Sequence, residues 1–280
     1  MTTALDALKR AWLNPRGRAG ALVLAVILLV AVVAPFFLPD PIAQPDPLGG
    51  SNLPPNAAHP FGTDHLSRDV LARVVWGARI SLGVAFLAVL LSITLGAAVG
   101  LVSGYWGGAV DAVLMRLVDG ALAIPRLFLL LLVLAIWERV PILALVLLIG
   151  TTGWFVTSRL VRGEVLRLRE ESYVQAAAAL GARRRRIIFR HLLPNALGPL
   201  LVTATLGVGD VILLEAGLSF LGLGIRPPTP SWGGMVLDAK AVLVTAPWAG
   251  IFPGLAIVVT VLSANLFGDA LRDAVDPRGA

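Results

Sequence analysis

The chain has 280 residues, 57% of them hydrophobic and only 14% charged, with a mean hydropathy of +0.85. Soluble domains carry about 25% charged residues, so this composition excludes a soluble globular protein and defines an integral membrane protein. The net charge of +6 fits arginines gathered in cytoplasmic loops better than it fits a nucleic-acid binder, and the absence of cysteine rules out disulfides.

Residues 1–18 form a basic tail carrying Lys9, Arg10, Arg16 and Arg18. Ala19 to Phe37 is almost purely apolar and long enough to cross a ~30 Å hydrocarbon core. It is too long for a signal-peptide core and lacks a clean cleavage site, so it reads as a retained anchor. An irregular extracytoplasmic segment rich in proline follows (Pro39, Pro41, Pro45, Pro47, Pro54, Pro55), and leads into His59-Pro60-Phe61-Gly62-Thr63-Asp64. From Val70 the apolar residues recur at helical spacing (Val70, Val74, Val75), which predicts an interfacial helix feeding a second span, Leu82 to Val102. Gly96, Gly100, Gly104 and Gly108 recur every four residues, a ridge that permits close packing either within the chain or against another subunit.

The third span is predicted over Leu114 to Ile136, with Arg116 and Asp119 one turn apart and able to neutralise each other, and with Arg126 further on. Trp137 to Pro141 is a tight outer connection and Ile142 to Val156 the fourth span. Residues 159–196 are polar and basic. Leu197 to about Leu214 makes the fifth span, followed by Glu215 to Gly224, a rigid loop from Arg226 to Gly234, and a short helix over Met235 to Val244. Trp248 to Phe267 is the sixth span, with Asp269, Arg272, Asp273, Asp276 and Arg278 in a short tail. The expected fold is therefore all-α and polytopic: six transmembrane helices with a long cytoplasmic loop. Arg159, Arg162, Arg167, Arg169, Arg183 to Arg186 and Arg190 place that loop, and with it both termini, in the cytoplasm. The organisation divides into residues 1–80 (tail, first span, extracytoplasmic loop) and a five-helix core, 81–280, containing the loop 159–196.

Within that loop, Ser172 followed three residues later by Gln175 is a capping box, so a helix should start at Tyr173. The run Ala176 to Ala179 has the highest helix propensity, and Gly181 stands where a left-handed C-terminal cap is needed. The product is a helix of about two turns (~12 Å), Tyr173 to Leu180, with a face of very small side chains. A second helix carries Ile188, Phe189, Leu192 and Leu193 opposite Arg183, Arg186 and Arg190, and Pro194 ends it. The two form a shelf on the membrane surface. The arginines serve as a topology anchor, an anionic-lipid patch or, least in keeping with the absence of interleaved aromatics, an RNA contact.

No G-x-x-x-x-G-K-[ST] occurs, the only lysines being Lys9 and Lys240, so no Walker-type ATP site exists in this chain. Gly217-Leu218-Ser219-Phe220-Leu221 misses a nucleophile elbow. His59, Asp64 and His65 make either a structural turn or a weak metal site. Asp210 and Glu215 fall within or at the end of the fifth span, where ionised groups face a cavity or a partner. They either line a translocation path, favouring amine-bearing cargo, or form a buried hydrogen bond or ion pair, for example to Arg126.

With these residues placed, the chain resembles the permease subunits of bacterial ABC importers, most of all the C-type subunit of the dipeptide/oligopeptide/nickel branch. Their cytoplasmic loop reads E-A-A, three residues, G, nine residues, I-x-L-P; here Gln175-Ala176-Ala177, Gly181 and Leu193-Pro194 fall at those spacings. His59 to Asp64, Glu215 to Trp232, Arg190 to Asn195 and Gly268 to Arg278 also match that branch. Three departures stand out: Gln175 replaces the glutamate that names the motif, Ala178 a frequent arginine, and Ser67 a frequent glycine. The resemblance implies a type I importer permease fold in the bacterial inner membrane. It implies a translocation path for di- or oligopeptides, or alternatively for nickel or a metal chelate, formed with a paralogous permease. Coupling to two ATPase subunits falls to Tyr173, Gln175, Ala176, Ala177, Leu180, Gly181 and Pro194. An extracytoplasmic binding protein delivers the solute, and ATP and magnesium belong to the ATPase subunits, leaving this chain non-catalytic with no cofactor or metal of its own. A lipid-binding scaffold without transport activity is the alternative of a different class.

Overall fold

The computed structural model describes residues 4–46, 49–137 and 140–275. Pro47 of the proline-rich segment, Glu138 and Arg139 of the connection, and Asp276, Pro277 and Arg278 of the tail lie outside them. Apart from a lone bridge between Thr63 and Asp69, the regular elements among the described residues are helices. Five of these, Pro15–Phe36, Val70–Trp106, Ile142–Arg169, Arg184–Phe220 and Trp248–Val275, are long and apolar enough to cross a membrane. Gly108–Leu122 and Arg126–Leu134, bent 75° to each other, make a sixth only when taken together as one broken span.

The basic tail is not loose. It forms α1 (Ala4–Leu13), whose Ala7 and Ala11 are buried while Leu5, Trp12 and Leu13 are exposed. α2 (Pro15–Val33) starts where Asn14 accepts a hydrogen bond from the Arg16 amide at 3.0 Å and Pro15 occupies the first turn, where its missing N–H costs nothing. Asp69 caps α3 (Val70–Trp106) by accepting from the Ala72 amide at 2.7 Å. The predicted interfacial helix and second span are thus one continuous rod, and residue 80, the proposed division, falls inside it.

α4 (Gly108–Leu122) and α5 (Arg126–Leu134) replace the straight third span that the apolar window predicted. Pro125 is the cause: it disfavours helical geometry at Ile124 and sits, extended at ψ 122°, as the N-cap of α5. α6 (Ile142–Arg169) continues well past Val156, because nothing in its sequence stops a helix before Glu170. α7 (Ser172–Ala179) follows. α8 (Arg184–Phe220) then runs through both the second shelf helix and the fifth span. The expectation that Pro194 ends a helix is corrected here. A π-turn over Ile188–Leu192, in which the Leu193 amide donates to the Ile188 carbonyl, widens the coil just before the proline. The chain then resumes as α-helix with Pro194 in its first turn. α9 (Trp232–Ala239), capped by Ser231, is followed by a 3-10 turn over Lys240–Val242. α10 (Trp248–Val275) absorbs Asp269, Arg272 and Asp273, expected in a tail.

The glycine ridge packs within the chain. A Cβ added at Gly96 would lie 2.5 Å from the Thr157 Cβ, one at Gly100 2.6 Å from the Ser158 carbonyl oxygen, and one at Gly104 2.8 Å from the Val165 Cβ. α3 and α6 therefore lie side by side and parallel, each step of four on one matched by four on the other. Gly108 contributes nothing to the seam; it opens α4 at φ +53° with open space around it. The core is built on this pair, with Ala85, Ala88, Leu145 and Ile149 buried alongside Leu130 and Leu134 of α5, Ile212 and Leu218 of α8 and Trp232 of α9. α2 lies at its edge, against α10, adding Ala31 to the cluster and leaving most of its side chains exposed.

The two ends of the bundle differ. At the end carrying α7, the tip of α6 and α1, α1 is clamped on α10 through Ala7 and Ala11 against Ala270, Leu271 and Ala274. At the opposite end, residues 59–69, α9 and the start of α10 form a cap. Arg68 and Arg73, both 2% exposed, reach Asp64 at 2.7 and 3.5 Å and Asp238 at 3.4 Å each. The Trp248 indole donates to the Thr63 carbonyl at 3.0 Å, and Phe61 stacks on Phe252 at 3.9 Å. Ser67, the departure noted above, has φ +58° and a buried hydroxyl with no partner.

Candidate functional site: the α7 shelf and the mid-span carboxylates

α7 is held by one apolar contact and two well-defined ends. Val174 is its buried residue, 4% exposed, and packs with Leu168, Ile187, Ile188 and Leu192. Gln175, Ala176, Ala178, Ala179 and Leu180 face outward, Leu180 at 89% exposure. The C-terminal end closes as the glycine predicts: the Ala182 amide donates to the Ala177 carbonyl and the Gly181 amide to the Ala178 carbonyl, both at 3.0 Å, with Gly181 at φ +77°. This is a Schellman closure, and it requires a residue without a Cβ at position 181.

The N-terminal end differs from the predicted capping box. Glu171, not Ser172, is the N-cap residue, and no side chain caps it. Gln175 Nε2 reaches past Ser172 to the Glu170 carbonyl at 3.4 Å and its carboxylate at 3.5 Å. The helix begins one residue early because Glu171 already holds the extended geometry (ψ 135°) that a cap needs. Charge secures the approach to it. Arg167 bridges Glu164 at 2.6 Å and Glu171 at 3.1 Å, and Arg169 donates to the Gly104 and Tyr105 carbonyls at 2.9 and 3.0 Å, closing the exposed end of α3.

Tyr173 ties the shelf to α8. Asn195 Nδ2 donates to its hydroxyl at 3.3 Å and to the His191 carbonyl at 2.5 Å, beside the π-turn. Burial, then the nearby Glu171 carboxylate, pushes the Tyr173 phenol above its ordinary range, so it stays a neutral hydroxyl. Beside α7 a cleft of about 330 Å³ is lined by Tyr105, Trp106, Arg169, Gln175, Ala178 and Arg184. Ile188 and Leu192 are buried as the apolar stripe predicted, but Phe189 is 59% exposed and lies under the Arg185 guanidinium.

The remaining candidates separate. Asp119 pairs with Arg159 of α6, not with Arg116. Arg162 holds Asp111 by two bonds of 2.5 and 2.6 Å, and Ser103 donates to the same carboxylate. His59 contacts Asp69 at 2.8 Å while Asp64 is committed to Arg68 and Arg73; among the described residues no cluster of three His, Asp or Glu fit for a metal forms. Glu215 is 1% exposed. Its Oε1 accepts from Ser219 at 2.7 Å, and the Ser81 and Ser231 hydroxyls face the same carboxyl. Asp210 is exposed on α8 and forms no ion pair with Arg126. Arg126 instead donates to the Ile149 carbonyl at 2.5 Å and the Thr152 hydroxyl at 3.1 Å. No local pattern announces the Arg68–Arg73–Asp238 linkage, in which Asp238 stands more than a hundred residues from both arginines.

The described residues thus form a polytopic helical bundle with a short helix on a basic shelf. The sequence profile of binding-protein-dependent transport system inner membrane components matches residues 92–279, and that of the N-terminal transmembrane domain of oligopeptide transport permease C matches residues 3–55. The chain belongs to the binding-protein-dependent transport system inner membrane component family. It is 40% identical over 273 residues to the dipeptide transport system permease protein DppC of Alkalihalophilus pseudofirmus and 38% identical to the oligopeptide transport system permease protein OppC of Bacillus subtilis. Each alignment covers 98% of this chain and 89% of the relative. It is 44% identical over 275 residues to a putative peptide permease protein of Brucella suis, covering 95% of this chain and 89% of that one.

Proposed function

We propose that this chain is the C-type permease subunit of an ATP-driven importer of di- or oligopeptides, paired with a related permease and served by two ATPase subunits and a binding protein. The observation that carries the coupling role is α7. It is short, closed at Gly181, anchored only through Val174 and Tyr173, and presents Gln175, Ala176 and Leu180 to a partner that can approach closely. On this reading α7 lies in the cytoplasm with both termini, and the cap built on Arg68, Arg73 and Asp238 faces the binding protein. Pro194, just past the π-turn, joins the shelf to α8. ATP and magnesium act on the ATPase subunits, and this chain supplies the path without catalysing a reaction. Peptide is favoured over nickel because the similar permeases are named for peptides. Asp210, exposed at mid-span, is the carboxylate we place on the path; Glu215 would reach it only when the cap opens.

The test is Gly181→Pro, which removes the amide that bonds Ala178 and cannot adopt φ +77°. Membrane insertion should persist while peptide uptake and stimulation of the ATPase are lost. Unimpaired uptake by this variant would refute the coupling role. A chain that never co-purifies with an ATPase subunit would favour the scaffold reading.

A further inference from the structure

Asp210 and Arg126 stand at one level of the bundle. A Cβ at Gly153 of α6 would lie 2.7 Å from the Ser92 hydroxyl of α3 and 3.0 Å from Arg126 Nη2. Gly207, one turn before Asp210 on α8, faces Val89 of α3 at 3.5 Å, and Val89 is one turn from Ser92. Both charges therefore sit near the midpoint of α3, and no ion pair joins them. Asp210 is exposed and has no hydrogen-bond partner among the described residues.

Arg126 is half-fixed. Its Nε and Nη2 are held by Thr152 and Ile149 of α6, which leaves Nη1 without a partner among the described residues. It heads α5 at the break created by Pro125, and the N-terminus of α5 has no side-chain cap, so the peptide dipoles there carry the same sign as the guanidinium. Ala123, Ile124, Leu127 and Phe128 around the break are exposed. A broken span that sets a helix N-terminus and a cation beside an open face, at the level of an exposed carboxylate, has the form of a midplane solute site.

We propose that Arg126 and Asp210 form a two-ended charge site for a zwitterionic solute, the guanidinium taking a carboxylate and Asp210 an ammonium. This rests on the permease reading above. A free peptide carries both groups at its ends, so the site selects for unblocked termini after the binding protein has made its own selection. Neither residue pairs with the other; the solute completes both.

The test uses the complete transporter, purified with its partner permease, ATPase subunits and binding protein and reconstituted in proteoliposomes with trialanine. Uptake by the unmodified complex is the first arm. If that complex imports no peptide, the permease reading fails, and this is distinct from failure of the site. Given uptake, Asp210→Asn and Arg126→Gln should each lower trialanine transport at least tenfold in complexes that purify intact. Unchanged uptake by Asp210→Asn would mean the carboxylate is idle, and unchanged uptake by Arg126→Gln that the guanidinium is; either result overturns the proposal. An independent measurement follows Ile124→Cys, exposed beside the break, with a cationic thiosulfonate. Its modification should slow at least fivefold when trialanine is in turnover and not during ATP turnover without peptide. Equal rates would also overturn the proposal.

Discussion

Ser67 holds a conformation that belongs to glycine. At φ +58° its Cβ crowds the backbone, and its hydroxyl is buried with no partner. Ser67→Gly should therefore raise stability by about 1–2 kcal/mol, the strain and the orphaned hydroxyl together outweighing the extra freedom of the unfolded chain. A higher midpoint in thermal unfolding of the detergent-solubilised protein would show it; a lower one would mean the left-handed turn is unstrained. The α3–α6 seam makes the opposite demand. Gly100→Val would push a side chain into the Ser158 carbonyl, already 2.6 Å from an added Cβ, so a loss of about 3 kcal/mol or more is expected together with a fall in folded yield. At Asp111 the expectation is a coupling. Arg162→Gln leaves the carboxylate half-buried and uncompensated, and Asp111→Asn should recover part of the loss when the two are combined.

Helices were legible where local chemistry decides them and illegible where distant contacts do. α7 was read to within a residue at each end because alanine propensity and Gly181 act locally. Its N-cap was misassigned because Ser172 satisfies the same pattern one position on, and only the backbone at Glu171 chooses between them. The break in the third span was written as Pro125 but masked by apolar residues on both sides. Pro194 misled in the other direction, since a proline ordinarily ends a helix and a π-turn is not visible in composition. The glycine ridge announced close packing without naming α6 as the partner, and Asp119 found Arg159 on that same neighbour rather than Arg116 on its own helix. Exposed Asp210 and buried Glu215 were indistinguishable on hydropathy alone. At this scale, Pro125→Ala should lessen the 75° bend between α4 and α5, and spin labels placed at Val113 and Leu132 should move apart. An unchanged distance would mean that tertiary packing, not the proline, sets the bend.

For the molecule as a whole, the described termini meet. α1 lies across the last turns of α10, and Ala11 is fully enclosed against Ala270 and Leu271. Ala11→Glu should break that clasp and lower the thermal midpoint without stopping insertion of the spans, since a lone carboxylate there has no partner. If the midpoint does not move, α1 is an ornament of the fold rather than a fastening. The exposed Leu5, Trp12 and Leu13 of α1 give the same helix an apolar side at the level where α2 enters the membrane.

α8 crosses all of this as one rod of 37 residues, about 55 Å long. Its near end is hinged to α7 by Gly181 and collared by the π-turn; its far end carries Ser219, bonded to Glu215 beneath the cap. On the proposed coupling role such a rod would act as a lever, with its fulcrum at the shelf. A tilt of about 5° at that fulcrum would sweep the far tip through roughly 5 Å. The Ser219–Glu215 bond would then be the latch that the lever works against.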